Sequence, residues 1–253
     1  MRWIEEGAGA RVGPVAGSFG AVVGFDTETT GVDVDTDRIV TAAVVRRAGG
    51  TTTVTTWLID AGVPVPDAAT AIHGITTAQV RAAGRPPAAA LDEIAEELVD
   101  AMAHGEPVVA YNACFDLSLL DVELRRHGLP TLAERLGHEV RVVLDPLVLD
   151  RHLDAPRDGA RRLGDLCAHY GVRTRADLHA ADVDVLATLD VLDALAGAYP
   201  WIAGMPLDDL HDLQAAAYGR WVEHVTAARA EAGREGPGPE PVWPSRVGAP
   251  VAA

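Results

Sequence analysis

Asp26 and Glu28 stand two residues apart at the end of an apolar run, AVVGFD (21–26). On an extended segment, residues two apart project to the same side. Two carboxylates held that close repel each other, and a hard divalent cation is the simplest remedy. A third acid, Asp116, closes the segment Tyr111-Asn112-Ala113-Cys114-Phe115-Asp116, where the short apolar run PVVAYN (107–112) gives way to a helical pattern. A fourth, Asp184, follows His179 by five residues on the amphipathic stretch 182–199. Carboxylates that gather cations, beside a histidine with an ordinary pKa of about 6.5, suit metal-assisted chemistry. Taken singly, each feature has a plainer reading. D-x-E is a common solvated turn, Asp116 can complement a helix dipole, Asn112 can be a cap or a loop-fixing residue, and His179 can be a surface histidine. Their common placement at strand ends and helix starts argues for a site.

The elements that must position these residues follow from periodicity. Residues 21–26, 38–46 and 51–60 read as three strands, with Gly49-Gly50 as a hairpin turn and β-branched residues throughout the third. Short turns between them predict an antiparallel meander. Residues 87–105 carry apolar residues at helical spacing and end at Gly105. Then come a strand (107–112), a helix (115–128), a strand stopped by Pro146 (139–146), a short helix (161–171) and a long one (182–199). The order βββαβαβαα predicts an α/β fold: a mixed five-stranded sheet, first antiparallel and then parallel, flanked by helices. Residues 1–20 read as a lead-in with Trp3 as a candidate anchor, 201–233 as a helical extension, and 234–253 as a flexible Gly/Pro-rich tail in which Trp243 could dock.

Composition narrows the class. The chain has 253 residues and 48% hydrophobic content, enough to build a sizeable core. No long apolar run suggests a membrane span, and nothing at the N-terminus reads as a secretory signal. Cys114 and Cys167 form no framework, so a cytoplasmic, reducing location is expected. The net charge of -16 argues against a protein that coats nucleic acid stoichiometrically. It remains compatible with an enzyme that meets a few phosphates through bound cations.

VGFDTETTG, YNACFD and HAADVD together resemble the three exonuclease motifs of the DEDD superfamily, with the histidine placing the chain in the DEDDh branch. HGIT (73–76) after WLIDAGVPVP is similar to the proofreading epsilon subunit of DNA polymerase III and its relatives. The resemblance spans residues 20–197. It implies a ribonuclease-H-like fold and two divalent cations, Mg²⁺ or Mn²⁺. Asp26 would bridge both ions, Glu28 and Asp184 would hold the one that activates water, and Asp116 the second. His179 would take the proton from the attacking water. The five-residue step from the histidine selects Asp184 over Asp182. Thr29, Thr30 and His73 are candidates for contact with the terminal nucleotide, and Asn112 is a further candidate for substrate binding. His73 could equally stabilise its loop. Asp145 is a nearby acid for which a structural role is expected.

The resemblance implies 3′→5′ removal of nucleoside monophosphates from single-stranded DNA or RNA 3′ ends, with a polymerase as a candidate partner. DNA is the leading expectation and short RNA the alternative; the motifs read phosphate and metal, not the 2′-hydroxyl, and do not choose between them. A non-catalytic binding module and a nucleotide phosphatase are competing classes. The sequence leaves oligomeric state open.

Overall fold

Val22 to Phe25 are buried in succession, which marks a central strand covered on both faces. The computed structural model describes residues 19–173, 178–236 and 238–247. In it, β1 (Val22–Thr29), β2 (Ile39–Ala48) and β3 (Thr51–Leu58) form the expected antiparallel meander. Gly49 and Gly50 make the turn at φ 55° and 78°, a region that glycine enters without steric cost. β3 is the outer strand, and its threonine run faces solvent. β4 (Val108–Val109) and β5 (Val143–Leu144) join in parallel, giving the order β3-β2-β1-β4-β5.

Ten helices are described. α1 (Asp67–His73), α2 (Thr77–Ala83) and α3 (Pro87–Ala103) precede β4. α4 (Ala113–Arg126) and α5 (Leu132–Leu136) precede β5. α6 (Pro146–Leu153), α7 (Leu163–Tyr170), α8 (Ala181–Ala198), α9 (Pro200–Ala203) and α10 (Leu207–Glu231) complete the chain. α3 and α4 cover one face of the sheet, packing Leu91, Ile94, Leu98, Leu117 and Leu120 on Val23 and Phe25. α8 covers the other, with Val185, Leu189 and Leu192 against Val22, Val45 and Val109.

Gly24 permits the second contact. A Cβ there would lie 2.3 Å from Val185 Cγ1 and 3.2 Å from Leu189 Cγ. Glycine in a strand interior commonly marks such a close approach. Val22, Gly24, Asp26 and Glu28 share one side of β1, so the missing side chain also lets the start of α8 reach the acids.

Several elements differ from the sequence-based expectation. β4 and β5 are two residues each, shorter than the expected 107–112 and 139–146. Pro146 opens α6 at its first turn as well as ending the strand, since an N–H is dispensable there. The sequence pattern does not predict α1, α2, α5, α6 and α9, each four to eight residues long. α10 does more than cover the core. Val143 N–H donates to His211 Nδ1 at 3.2 Å, Gln214 Nε2–H donates to Val143 O at 3.1 Å, and Asp145 N–H donates to Gln214 Oε1 at 2.7 Å. Two side chains of α10 thus seal the open edge of β5, which would otherwise bury unpaired backbone groups.

The segment expected to be a flexible tail is docked over 238–247. Trp243, Ser245 and Val247 are buried. Ser245 Oγ donates to Asp121 Oδ2 at 2.8 Å, Arg246 N–H to Ser118 Oγ at 3.0 Å, and Cys114 Sγ–H to Val242 O at 3.0 Å. The physical reason is the apolar and hydrogen-bonding surface that α4 and α10 offer to Trp243 and Ser245. Residues 1–18, with Trp3, and 248–253 lie outside the described residues.

Candidate active site

Asp26 and Glu28 leave β1 on the α8 side, and Asp184 enters from the first turn of α8. Each of the three offers a carboxylate oxygen, and these oxygens lie within 4.8 Å of one another. No protein donor reaches Asp26 or Glu28 among the described residues. Asp184 Oδ1 accepts one hydrogen bond, from the His179 N–H at 3.1 Å. The β1–β2 register shifts between Glu28 and Thr29, where the pairing passes over Val40 of β2.

Asp116 arrives from the first turn of α4 and is buried. β4 stops at Val109, so the β1 edge beyond it lacks a strand partner. Asp116 Oδ1 takes its place, accepting Thr27 N–H at 3.1 Å and Thr27 Oγ1–H at 2.6 Å. Asn112 makes the preceding turn in the left-handed region at φ 61°, a conformation asparagine tolerates better than most residues. Asp145 holds that turn. Its carboxylate accepts Asn112 N–H at 3.1 Å and Ala113 N–H at 2.9 Å, and also caps α6 through Leu147 N–H at 2.9 Å.

The remaining candidates sit around this core. Thr29 Oγ1–H donates to Gly31 O at 2.5 Å. Thr30 spends its hydroxyl and N–H within the following loop, on Asp37 Oδ1 at 2.7 Å and Arg38 O at 2.9 Å. His73 Nε2 faces Thr29 O at 3.3 Å and its Nδ1 accepts Ile75 N–H at 3.1 Å, which fits a neutral ring donating through Nε2. The Asn112 side chain is exposed and makes no hydrogen bond among the described residues. His179 is also exposed, with φ 92°, a costly region for a side-chain-bearing residue.

A family model described as Exonuclease, of the RNase T type, matches residues 23–192 and so takes in all three motifs. The chain belongs to the exonuclease family. Among relatives of this exonuclease-family protein, the DNA polymerase III PolC-type of Streptococcus thermophilus is 33% identical over 165 residues, covering 65% of this chain and 10% of that one. A DNA polymerase III subunit epsilon-like protein of Rhodobacter capsulatus is 43% identical over 100 residues, covering 38% and 13%. The chain thus matches only a small part of these relatives. Exonuclease I from Methylocaldum szegediense superposes with TM-score 0.59 at 26% identity, over 72% of this chain and 41% of that one. E. coli exonuclease I in complex with a dT13 oligonucleotide superposes with TM-score 0.58 at 19% identity, over 72% and 43%, a likeness of fold. The fold is ribonuclease-H-like, as the motifs imply. No helix among the described residues is long and apolar enough to cross a membrane.

The electrostatics of the exonuclease-family site are those of like charges gathered in a partly buried place. Burial, then the charges of Asp116, Glu28 and Asp184, push the Asp26 carboxyl well above the usual range. Glu28 is pushed up to about 7 by burial and by Asp184 and Asp116. Burial raises Asp116 to about 7 against the opposing bonds from Thr27. Asp184 is also raised, by burial, while the N–H and ring of His179 oppose the shift. Like charges gathered with few donors are the arrangement a divalent cation stabilises, and an all-oxygen set suits Mg²⁺ or Mn²⁺. Thr27, Gly24 and Gln214 escaped the sequence reading. Only Gly24 left a signal there, as a glycine inside an otherwise β-rich run.

Proposed function

We propose that the protein is a metal-dependent 3′→5′ exonuclease that hydrolyses single-stranded DNA from its 3′ end and releases nucleoside monophosphates. The observation that carries this is the convergence of Asp26, Glu28 and Asp184 within 4.8 Å, with no protein donor on Asp26 or Glu28 among the described residues. In this reading Asp26, Glu28 and Asp184, with Asp116 beside them, hold two divalent cations, Mg²⁺ or Mn²⁺. When bound, the cations lower the pKa of water and offset charge on the reacting phosphate. His179, whose backbone fixes Asp184 and whose ring is exposed beside the acids, takes the proton from the attacking water. The proton lands on a ring nitrogen and leaves to solvent. Thr29 and His73 border the terminal nucleotide, Thr30 holds the loop's shape, and the Asn112 amide is available to the strand.

DNA is favoured because fold neighbours were solved on dT13 and dA16 oligonucleotides. The polymerase III relatives support a polymerase as partner. We assign residues 21–200 to the exonuclease domain and 201–233 to a helical extension. The test is digestion of 5′-labelled single-stranded DNA and RNA of one sequence with Mg²⁺ or Mn²⁺, using His179→Ala as control. A ladder shrinking from the 3′ end of DNA and lost in the variant is expected. Preferred RNA cleavage would move the substrate to short RNA, and intact strands with both metals would overturn the assignment.

A further inference from the structure

A second concentration of charge lies between α6 and α10, and it is of the opposite sign. A pocket of about 590 Å³ opens there, lined among others by Arg151, His152, Arg161, Arg220, Trp221 and His224. No acidic residue lines it, in a chain whose net charge is -16. That volume falls within the roughly 300–1,000 Å³ common for ligand sites.

Most arginines elsewhere are matched with carboxylates, as in Arg47 with Asp190 and Asp193, or Arg141 with Asp208 and Asp212. Arg161 at the pocket is itself paired, with Asp150. Arg151 and Arg220 differ: neither has a hydrogen bond or a carboxylate partner among the described residues. The Arg151 guanidinium lies 3.8 Å over the Trp221 ring. The indole fixes its plane and leaves the N–H edge without an acceptor. Burial lowers the Arg151 pKa, and the charge of Asp145 offsets that only in part. Burial, then the charge of Arg220, lowers the His152 pKa, and both groups line the pocket. A planar, pre-oriented guanidinium edge matches a phosphate.

We propose that this pocket is a phosphate-binding subsite for the single strand, gripping its backbone upstream of the 3′-terminal nucleotide. The proposal rests on the exonuclease reading and goes beyond it. Three observations favour a strand over a free nucleotide. One face of Trp221 is already covered by Arg151, which takes that stacking surface from a base. The pocket is open to solvent on the Arg220 and His224 side, both residues being exposed. Its third feature is α6, which runs to Arg151 from Asp145, the residue that holds the Asn112 turn ahead of Asp116, about 9 Å at a rise of about 1.5 Å per residue. That span is short beside the roughly 4–16 nucleotides that single-strand binding folds engage. Arg220, Trp221 and His224 lie on α10, beyond the residues shared with the family. The subsite is thus built partly by this chain's own C-terminal helix.

The test uses the full chain, Arg220→Gln, and the double variant Arg151→Gln/Arg220→Gln. Binding of fluorescein-labelled dT12 is followed by anisotropy in EDTA across a salt series, and turnover of dT12 and dT2 is followed with Mn²⁺. Expected are a Kd for dT12 raised at least tenfold in the double variant and a slope of log K on log salt smaller by about 1.4, since each lost phosphate contact removes about 0.7. The KM for dT12 should rise while kcat and dT2 turnover stay unchanged. Unchanged affinity and slope in both variants would overturn the proposal, as would wild-type protein that does not bind dT12. Loss of thymidine monophosphate binding with dT12 binding intact would also overturn it, making the pocket a nucleotide site. Anisotropy requires no cleavage, so failure of the exonuclease assignment would appear separately, as wild-type protein inert on both dT2 and dT12.

Discussion

Asp26 and Asp145 lie at the same end of the sheet, at strands β1 and β5, and their surroundings are opposite. Asp145 accepts backbone N–H groups from Asn112, Ala113, Leu147 and Val148. Asp26 accepts none among the described residues and instead faces Glu28, Asp184 and Asp116. Both are buried enough for desolvation to raise their pKa. The difference teaches which buried carboxylate is a tool and which is a fastener. A carboxylate saturated with donors is finished as a structural unit and holds its neighbours still. One left among like charges is relieved by a proton or by a cation. The first kind positions the second: Gln214 holds Asp145, Asp145 holds the Asn112 turn, and that turn delivers Asp116 to Thr27.

The contrast can be broken by exchanging the two roles. Asp26→Ala should cost several kcal/mol of transition-state stabilisation, about a thousandfold or more in kcat with Mn²⁺, on the exonuclease assay. Asp26→Asn should do the same while leaving the melting temperature of metal-free protein unchanged or higher at pH 8, because a repelling charge is gone. A lower melting temperature would show that Asp26 is a fastener after all. Gly24→Ala should force α8 away from β1 and displace Asp184. A misplacement on the order of 1 Å costs roughly a hundredfold in rate, so activity should fall further than stability. Asp145→Ala should destabilise the fold by about 3 kcal/mol, through a lost helix cap and stranded N–H groups. That is about 10 °C in thermal melting for a domain of this size.

Smaller effects sharpen the same comparison. Glu28 and Asp116 are raised to about 7 in the folded protein, above their ordinary values of 4.5 and 3.8. Between those values and 7 the native state holds protons that the unfolded chain has released, so stability falls as pH rises through that window. Metal-free protein should therefore melt higher at pH 5 than at pH 8, and Mg²⁺ or Mn²⁺ should raise the melting temperature more at pH 8. Equal metal effects at both values would deny that the acids are the ligands. Last, Arg246→Ala removes an exposed pairing with Asp35 and should change neither melting nor activity measurably.

The sheet's halves were not equally legible. The β1–β3 meander could be read because alternation, β-branched residues and Gly49-Gly50 are local signals. β4 and β5 could be placed but not measured, since their ends are set by Asp145, His211 and Gln214, which are remote in sequence from β4 and, for the last two, from β5. The docked segment around Trp243 reads as flexible from its glycine and proline content. What holds it is α4 and α10, which composition does not contain.

Amino-acid types and spacing by themselves marked Asp26, Glu28, Asp116, His179 and Asp184 as candidates and determined the alternation of strands and helices, because both are local signals. Which acids meet was decided only in three dimensions. Asp26, Glu28 and Asp184 become neighbours because Gly24 lets α8 pack close on β1. Asp116 turns toward Thr27 because β4 is too short to take that N–H. The basic pocket has no counterpart in any motif, because Arg151 and Arg220 lie 69 residues apart in the chain and meet only through the packing of α6 on α10. Sequence periodicity records how one element faces the core, whereas the pairing of elements depends on contacts distant along the chain.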